Sequence, residues 1–141
     1  MPANQVLTPE QIAAMSDADW QARLSDEAYY VLRQKGTERP FTGIYTDSKD
    51  DGIYRCQGCH AKLFDSKSKF HSGCGWPSFD QTINDHALTE TLDLSHGMRR
   101  IEVTCTNCGG HLGHVFDDNF VTGTGLRYCI NSVAIDFEPR T

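Results

Sequence analysis

The side chains best suited to chemistry in this 141-residue chain gather near its C-terminus. Within "GLRYCINSVAIDF", residues 125–137, Arg127, Cys129 and Asn131 occupy every second position. A strand has a side-chain period of two, so these three share one face, opposite Tyr128, Ile130 and Ser132. A lone cysteine in an apolar, β-branched run is ordinarily a small core residue. A guanidinium two positions away changes that reading, because a nearby cation favours the thiolate and hence the nucleophile. Carrying the same face on through Val133, Ile135 and Phe137 predicts one long strand, with a buried side that opens into a polar pocket at Cys129.

"GGHLGHVF" supplies His111 and His114, each able to give or take a proton near neutral pH. Taken singly, either is as well explained by a surface position or a spare ligand. Three residues apart, the two point to opposite sides of a regular strand. Service to one pocket therefore requires a break at Leu112-Gly113, with the glycine supplying backbone angles that other residues avoid. "SGCGWPSF" places Cys74 between two glycines in a loop and Trp76 just before Pro77. That indole either covers the core or walls an apolar pocket beside Cys74.

The other four cysteines form two C-x-x-C pairs, Cys56 with Cys59 and Cys105 with Cys108. Three disulfides would suit a small secreted domain that cannot build a core, and this chain is long enough to build one. A redox C-x-x-C would open a helix in a βαβ unit, whereas both pairs here follow β-type runs. Two knuckles giving two thiolates each predict a closed tetrahedral site for one structural Zn²⁺. A deaminase-type catalytic zinc is disfavoured, since no H-x-E partner accompanies the cysteines. The 45 residues between Cys59 and Cys105 exceed the usual ribbon gap of about 15–20, so they must carry structure of their own. A weak internal repeat supports paired knuckles: "YRCQGCHAKLF" and "VTCTNCGGHLG" each place a leucine, Leu63 or Leu112, seven residues after the first cysteine.

Short helices precede this body. Thr8, Pro9 and Gln11 form a capping-box start, and Ser25 caps a helix running through Leu32 that Gly36 closes. From Gly43 onward the runs "GIYRC", "LFDS", "KFHS", "RRIEVTC", "GHVF" and "RYCINSVAIDF" alternate with turn-forming clusters, which predicts a mainly β, antiparallel domain. The opening residues lack a charged start followed by an apolar stretch, and nowhere do 18 apolar residues run together, which predicts a cytoplasmic protein with no membrane partner. A net charge of −6 and no basic run longer than Arg99-Arg100 argue against a nucleic-acid partner.

"RCQGCHAKLF", "KFHSGCGWPSF", "CTNCGGHLGHVF" and "RYCINS", in that order and spacing, resemble the B-type peptide methionine sulfoxide reductases over residues 26–138. Members of that family reduce the R epimer of methionine sulfoxide. The resemblance implies a β-tent of two antiparallel sheets, with residues 1–25 as a helical extension and 26–141 as one zinc-containing catalytic domain. It implies Cys129 as nucleophile, Cys74 as resolving cysteine and a Cys74–Cys129 disulfide recycled by thioredoxin. Trp76 would wall the methyl pocket, with His111, His114 and Asn131 around the sulfoxide oxygen and Arg127 beside the substrate. Cys56, Cys59, Cys105 and Cys108 would hold the zinc, and the working unit would be a monomer acting on oxidised proteins. "DDNF" after "HVF" departs from the family's commoner Asp-Gly and alters a loop. A zinc-clip module that only binds a protein partner is the rival reading, and it would need none of Cys74, Cys129, His111 or His114.

Overall fold

The computed structural model describes residues 5–140, so the first four residues of the expected N-terminal extension lie outside the described residues. Three short helices come first: α1 (Pro9–Ala14), α2 (Asp17–Arg23) and α3 (Asp26–Gln34). Each starts on a hydroxyl cap. Thr8 and Ser16 form full capping boxes with Gln11 and Asp19, and Ser25 caps α3 through the amide of Ala28. The expected close of α3 moves by one residue. Lys35, not Gly36, takes the left-handed conformation (φ 59°), while Gly36 is needed because a Cβ there would overlap the Tyr30 ring.

Among the described residues, nine strands make two antiparallel sheets. The smaller orders β2 (Lys62–Asp65), β1 (Gly52–Cys56) and β9 (Ile135–Pro139). The larger runs β3 (Lys69–Phe70), β4 (Ser78–Phe79), β8 (Gly125–Ile130), β7 (His111–Asn119), β6 (Arg100–Cys105) and β5 (Leu88–Asp93). Aromatic side chains join the two. Phe64 of β2 stacks on Phe79 of β4 at 4.1 Å between centroids, and Tyr54 of β1 meets the Phe79 ring edge-on at 5.2 Å. Such pairs contribute about 0.5–1.5 kcal/mol each beyond the area they bury.

One expectation fails instructively. The run 125–137 is not one strand: β8 ends at Ile130, a 3₁₀ turn spans Ser132–Ala134, and β9 enters the other sheet. The core face of β8 is therefore Tyr128 and Ile130, and the face bearing Arg127 and Cys129 is only half buried.

The 45-residue segment between the cysteine pairs carries β2 to β5 and most of β6, as its length required. Its two ends are matched knuckles. Cys56 N–H bonds to Ala61 O and His60 N–H to Cys56 O; Cys105 N–H bonds to Gly110 O and Gly109 N–H to Cys105 O, all within 2.7–2.9 Å. His60 (φ 69°) and Gly109 (φ 76°) take the same left-handed turn in each.

The helices lie over these knuckles. Leu7, Trp20 and Leu24 are buried in the same core cluster as Cys56, Cys59 and Cys105. Leu7 N–H donates to Cys59 O, Arg23 Nε to Gly58 O, Arg33 Nη1 to Cys108 O and Asn107 Nδ2 to Leu7 O. The guanidinium of Arg33 sits 4.5 Å above the Trp20 ring.

Candidate active site and metal centre

Cys129 projects from β8 and Cys74 from the loop between β3 and β4, and their sulfurs meet at 3.0 Å. Gly73 (φ 77°) and Gly75 (φ 96°) flank Cys74 in the left-handed region, which lets the loop turn its thiol toward β8. Ser78 Oγ stands 3.3 Å from the Cys74 sulfur. The sulfurs are close enough for one to donate its S–H to the other. The S–H of Cys129 bonded to Cys74 brings Cys74 down to about 4, while that same contact and burial push Cys129 well up. Arg127 opposes the upward shift of Cys129, as expected of a cation, but its guanidinium is also gripped by both Asp118 oxygens at 2.8 and 3.0 Å and lies over Phe116.

A cavity of about 250 Å³ opens on this pair, lined by Cys74, Cys129, Trp76, His114, Arg127 and Asn131 among others. Trp76 is held by its indole N–H, which donates to Glu38 O at 3.1 Å. A larger hollow of about 710 Å³ around Thr46–Asp50 and Lys69–His71 lies away from the thiol pair and contains no cysteine.

The expected break in β7 is present. Val103 pairs with Gly113 and Thr104 with His111, which leaves Leu112 as the extra residue of a bulge. The bulge swings both imidazoles to one side, with ring centroids 5.6 Å apart at 70°. The freed Leu112 carbonyl accepts from Asn131 N–H at 3.0 Å and from Asn131 Nδ2 at 2.9 Å, while Asn131 Oδ1 accepts from Glu38 N–H. The irregularity in one strand thus fixes the end of its neighbour, just past Cys129.

Two expectations need correction here. Gly113 does not supply unusual angles, for it is absent from the positive-φ residues. It is needed for close approach, because a Cβ at that position would overlap the carbonyl of Cys129. His111, moreover, does not line the cavity. It lies behind His114, buried, with Nδ1 2.6 Å from Glu102 Oε2, and burial pulls its imidazole below the usual range despite that carboxylate. Gly113→Val should therefore displace Cys129 and slow the chemical step on the order of 100-fold, as misplacements near 1 Å do, without lowering metal content. A variant with full single-turnover rate would show that β8 yields to the added bulk at no cost.

Sequence reasoning missed Asp93, Arg100 and Glu102. Asp93 Oδ2 lies 2.8 Å from His114 Nε2, and Arg100 reaches the cavity wall. Glu102 alone had a signal, as a charge between Ile101 and Val103, yet with Arg100 and Thr104 at period two it resembled an ordinary solvated face.

Cys56, Cys59, Cys105 and Cys108 bring their sulfurs within 4.8 Å of one another, all buried. The Cys56–Cys108 and Cys59–Cys105 separations are 3.7 and 3.5 Å. A tetrahedron with Zn–S bonds near 2.3 Å has S···S edges of about 3.8 Å, so the donor set fits such an ion. Contacts among the sulfurs, with burial, push Cys56 and Cys105 up, while the sulfur contacts draw Cys59 and Cys108 down. The cluster can hold one metal ion.

A thiol pair in contact, in a cavity it shares with an imidazole, can do thiol-dependent redox chemistry. The SelR domain model matches residues 24–139, and the chain belongs to that family. Among its relatives, a protein of Chromohalobacter salexigens called peptide methionine sulfoxide reductase MsrB is 59% identical over 124 residues, covering 88% of this chain and 93% of that one. Proteins of the same name from Pseudomonas putida (60% identical; 86% and 91% covered) and Agrobacterium fabrum (55%; 88% and 91%) are similar to it as well.

Proposed function

We propose that the catalytic residues of this chain act as follows. The protein is a peptide-methionine (R)-S-oxide reductase. The observation that carries the residue assignments is the 3.0 Å contact between Cys74 and Cys129 in a cavity that also holds Trp76 and His114. The proton shared by the two sulfurs passes to Cys74, leaving Cys129 as the thiolate. That thiolate attacks the sulfoxide sulfur while His114 gives one proton to the oxygen. Methionine leaves, reduced by two electrons, and the oxygen remains on Cys129 as a sulfenic acid. The Cys74 sulfur then attacks Cys129, the S–O bond breaks and water departs with the remaining proton. Sulfurs already in contact need little movement to close the disulfide.

Trp76 walls the methyl side of the cavity. Asn131 offers its second Nδ2 hydrogen to the sulfoxide oxygen, since the first is bonded to Leu112. Arg127 supports the thiolate, and His111 braces His114 from behind. Cys56, Cys59, Cys105 and Cys108 hold one Zn²⁺, whose filled coordination gives it a structural role.

The two redox sulfurs are half exposed, which suits recycling by the dithiol of thioredoxin through exchange. We read the working unit as a monomer, with residues 26–141 as the catalytic body and the preceding helices as its cover. Among the described residues no helix is long and apolar enough to cross a membrane. A metal cluster built from thiols suits the reducing cytoplasm. The test is incubation of the pure protein with each sulfoxide epimer of a blocked methionine plus dithiothreitol. Turnover of the R epimer alone is expected, and equal turnover of the S epimer would overturn the assignment.

A further inference from the structure

We infer that Asp93 is the positioning residue for His114, holding the imidazole by Nε2 so that its proton is carried beside Cys129. The inference rests on the reading of His114 as proton donor. Asp93 ends β5 where it pairs with Arg100 of β6, and His114 pairs with Cys129 across β7 and β8. Asp93 reaches His114 over the width of β6, and the two side chains meet at 2.8 Å between Oδ2 and Nε2.

The carboxylate is itself fixed. Its Oδ1 accepts from Ser95 N–H at 2.9 Å, and Arg100 Nη2 stands 3.5 Å from Oδ2. One oxygen is thus committed to the turn after β5 and the other to the imidazole. The bond from His114 holds the Asp93 carboxyl well below the ordinary range, so it is ionised wherever the enzyme works. An ionised acceptor on Nε2 orients the ring and leaves Nδ1 as the nitrogen that can hand a proton on. His111 differs: its carboxylate partner, Glu102, is buried, and the ring does not line the cavity. The two carboxylate–imidazole pairs are therefore not equivalent, and only the one at Asp93 borders the reacting sulfur.

Asp93→Asn keeps the shape and removes the charge. In single-turnover reduction of methionine-R-sulfoxide it should slow the step by about 10-fold or more, with the 10²–10⁴ that a positioned acid supplies as the ceiling. KM and metal content should not move. Asp93→Glu, which restores the charge on a longer arm, should recover part of the rate. The double variant with His114→Ala should be no slower than His114→Ala alone, since a residue acting through His114 has nothing left to position. Losses that multiply in the double variant, or a wild-type rate in Asp93→Asn, would overturn the inference. If His114→Ala itself reacts at the wild-type rate, the donor assignment falls and this one with it. Nitrogen-15 NMR of the unmodified enzyme supplies an independent check that needs no variant. Nε2 of His114 is expected to be protonated and hydrogen-bonded, and a bare Nε2 would refute the contact.

Discussion

Cys129→Ser should show no turnover at all, whereas Cys74→Ser should complete one round of sulfoxide reduction and then stop. The asymmetry follows from where each sulfur stands. Cys129 sits on a strand, its register with β7 fixed opposite His114, and its next residues but one are tied to the Leu112 carbonyl. A serine hydroxyl in that place is not ionised near neutral pH, so the first bond to the substrate sulfur never forms. Cys74 lies on a loop turned by Gly73 and Gly75, and its sulfur attacks only after methionine has left. Without it, Cys129 is stranded as a sulfenic acid and no disulfide forms. Reaction without external reductant separates the two: about one methionine per enzyme is expected from Cys74→Ser and none from Cys129→Ser. Removing Cys74 also removes the S–H contact that pushes Cys129 up, so the remaining thiol should ionise more readily. A single-turnover yield near zero for Cys74→Ser would mean that Cys74 is needed to generate the Cys129 thiolate as well as to resolve it.

Cys105→Ser should unfold the protein before it impairs chemistry. Cys105 ends β6 and begins a knuckle whose partner lies at the far end of a 45-residue segment carrying most of the larger sheet's outer strands. In small zinc domains the metal contributes on the order of 10 kcal/mol to folding, comparable to the whole stability of a domain this size. Loss of one thiolate should lower the melting temperature sharply, and chelation of the wild type should do the same. Folded, active protein that contains no metal would refute a folding role for the cluster.

The parts of the molecule legible in its sequence are those set by local rules. The starts of α1 and α3 declare themselves because Thr8 and Ser25 each satisfy an amide three residues on. The metal cluster is legible because a C-x-x-C knuckle is a local turn with one use for two thiolates. Even the bulge at Leu112 follows from asking how His111 and His114 could share a side. Long-range geometry was not legible. Strand β5 buries none of its residues fully and is an edge, so its alternation of Thr and Glu carried no signal. Asp93, at its end, matters only because β5 and β7 flank the same neighbour. The change of sheet after Asn131 likewise depends on a carbonyl nineteen residues away. And the need for Gly113 resides in its neighbour's backbone, which no reading of its own angles would find.

The burial of the knuckles bears on how such an enzyme survives its own working conditions. Oxidants that convert methionine to its sulfoxide also attack cysteine, and they select sulfurs by thiolate character and access. This chain has six cysteines and sorts them by access: Cys74 and Cys129 are half exposed, while Cys56, Cys59 and Cys105 are fully covered and Cys108 is 7% exposed. The cover over the four includes α1 and α2, which fall outside the stretch matched by the family model. An oxidant arriving from solvent therefore meets Cys74 and Cys129 first, a pair already close enough to join in a disulfide. The four sulfurs of the cluster share a buried core with Leu7, Trp20 and Leu24 and are met later.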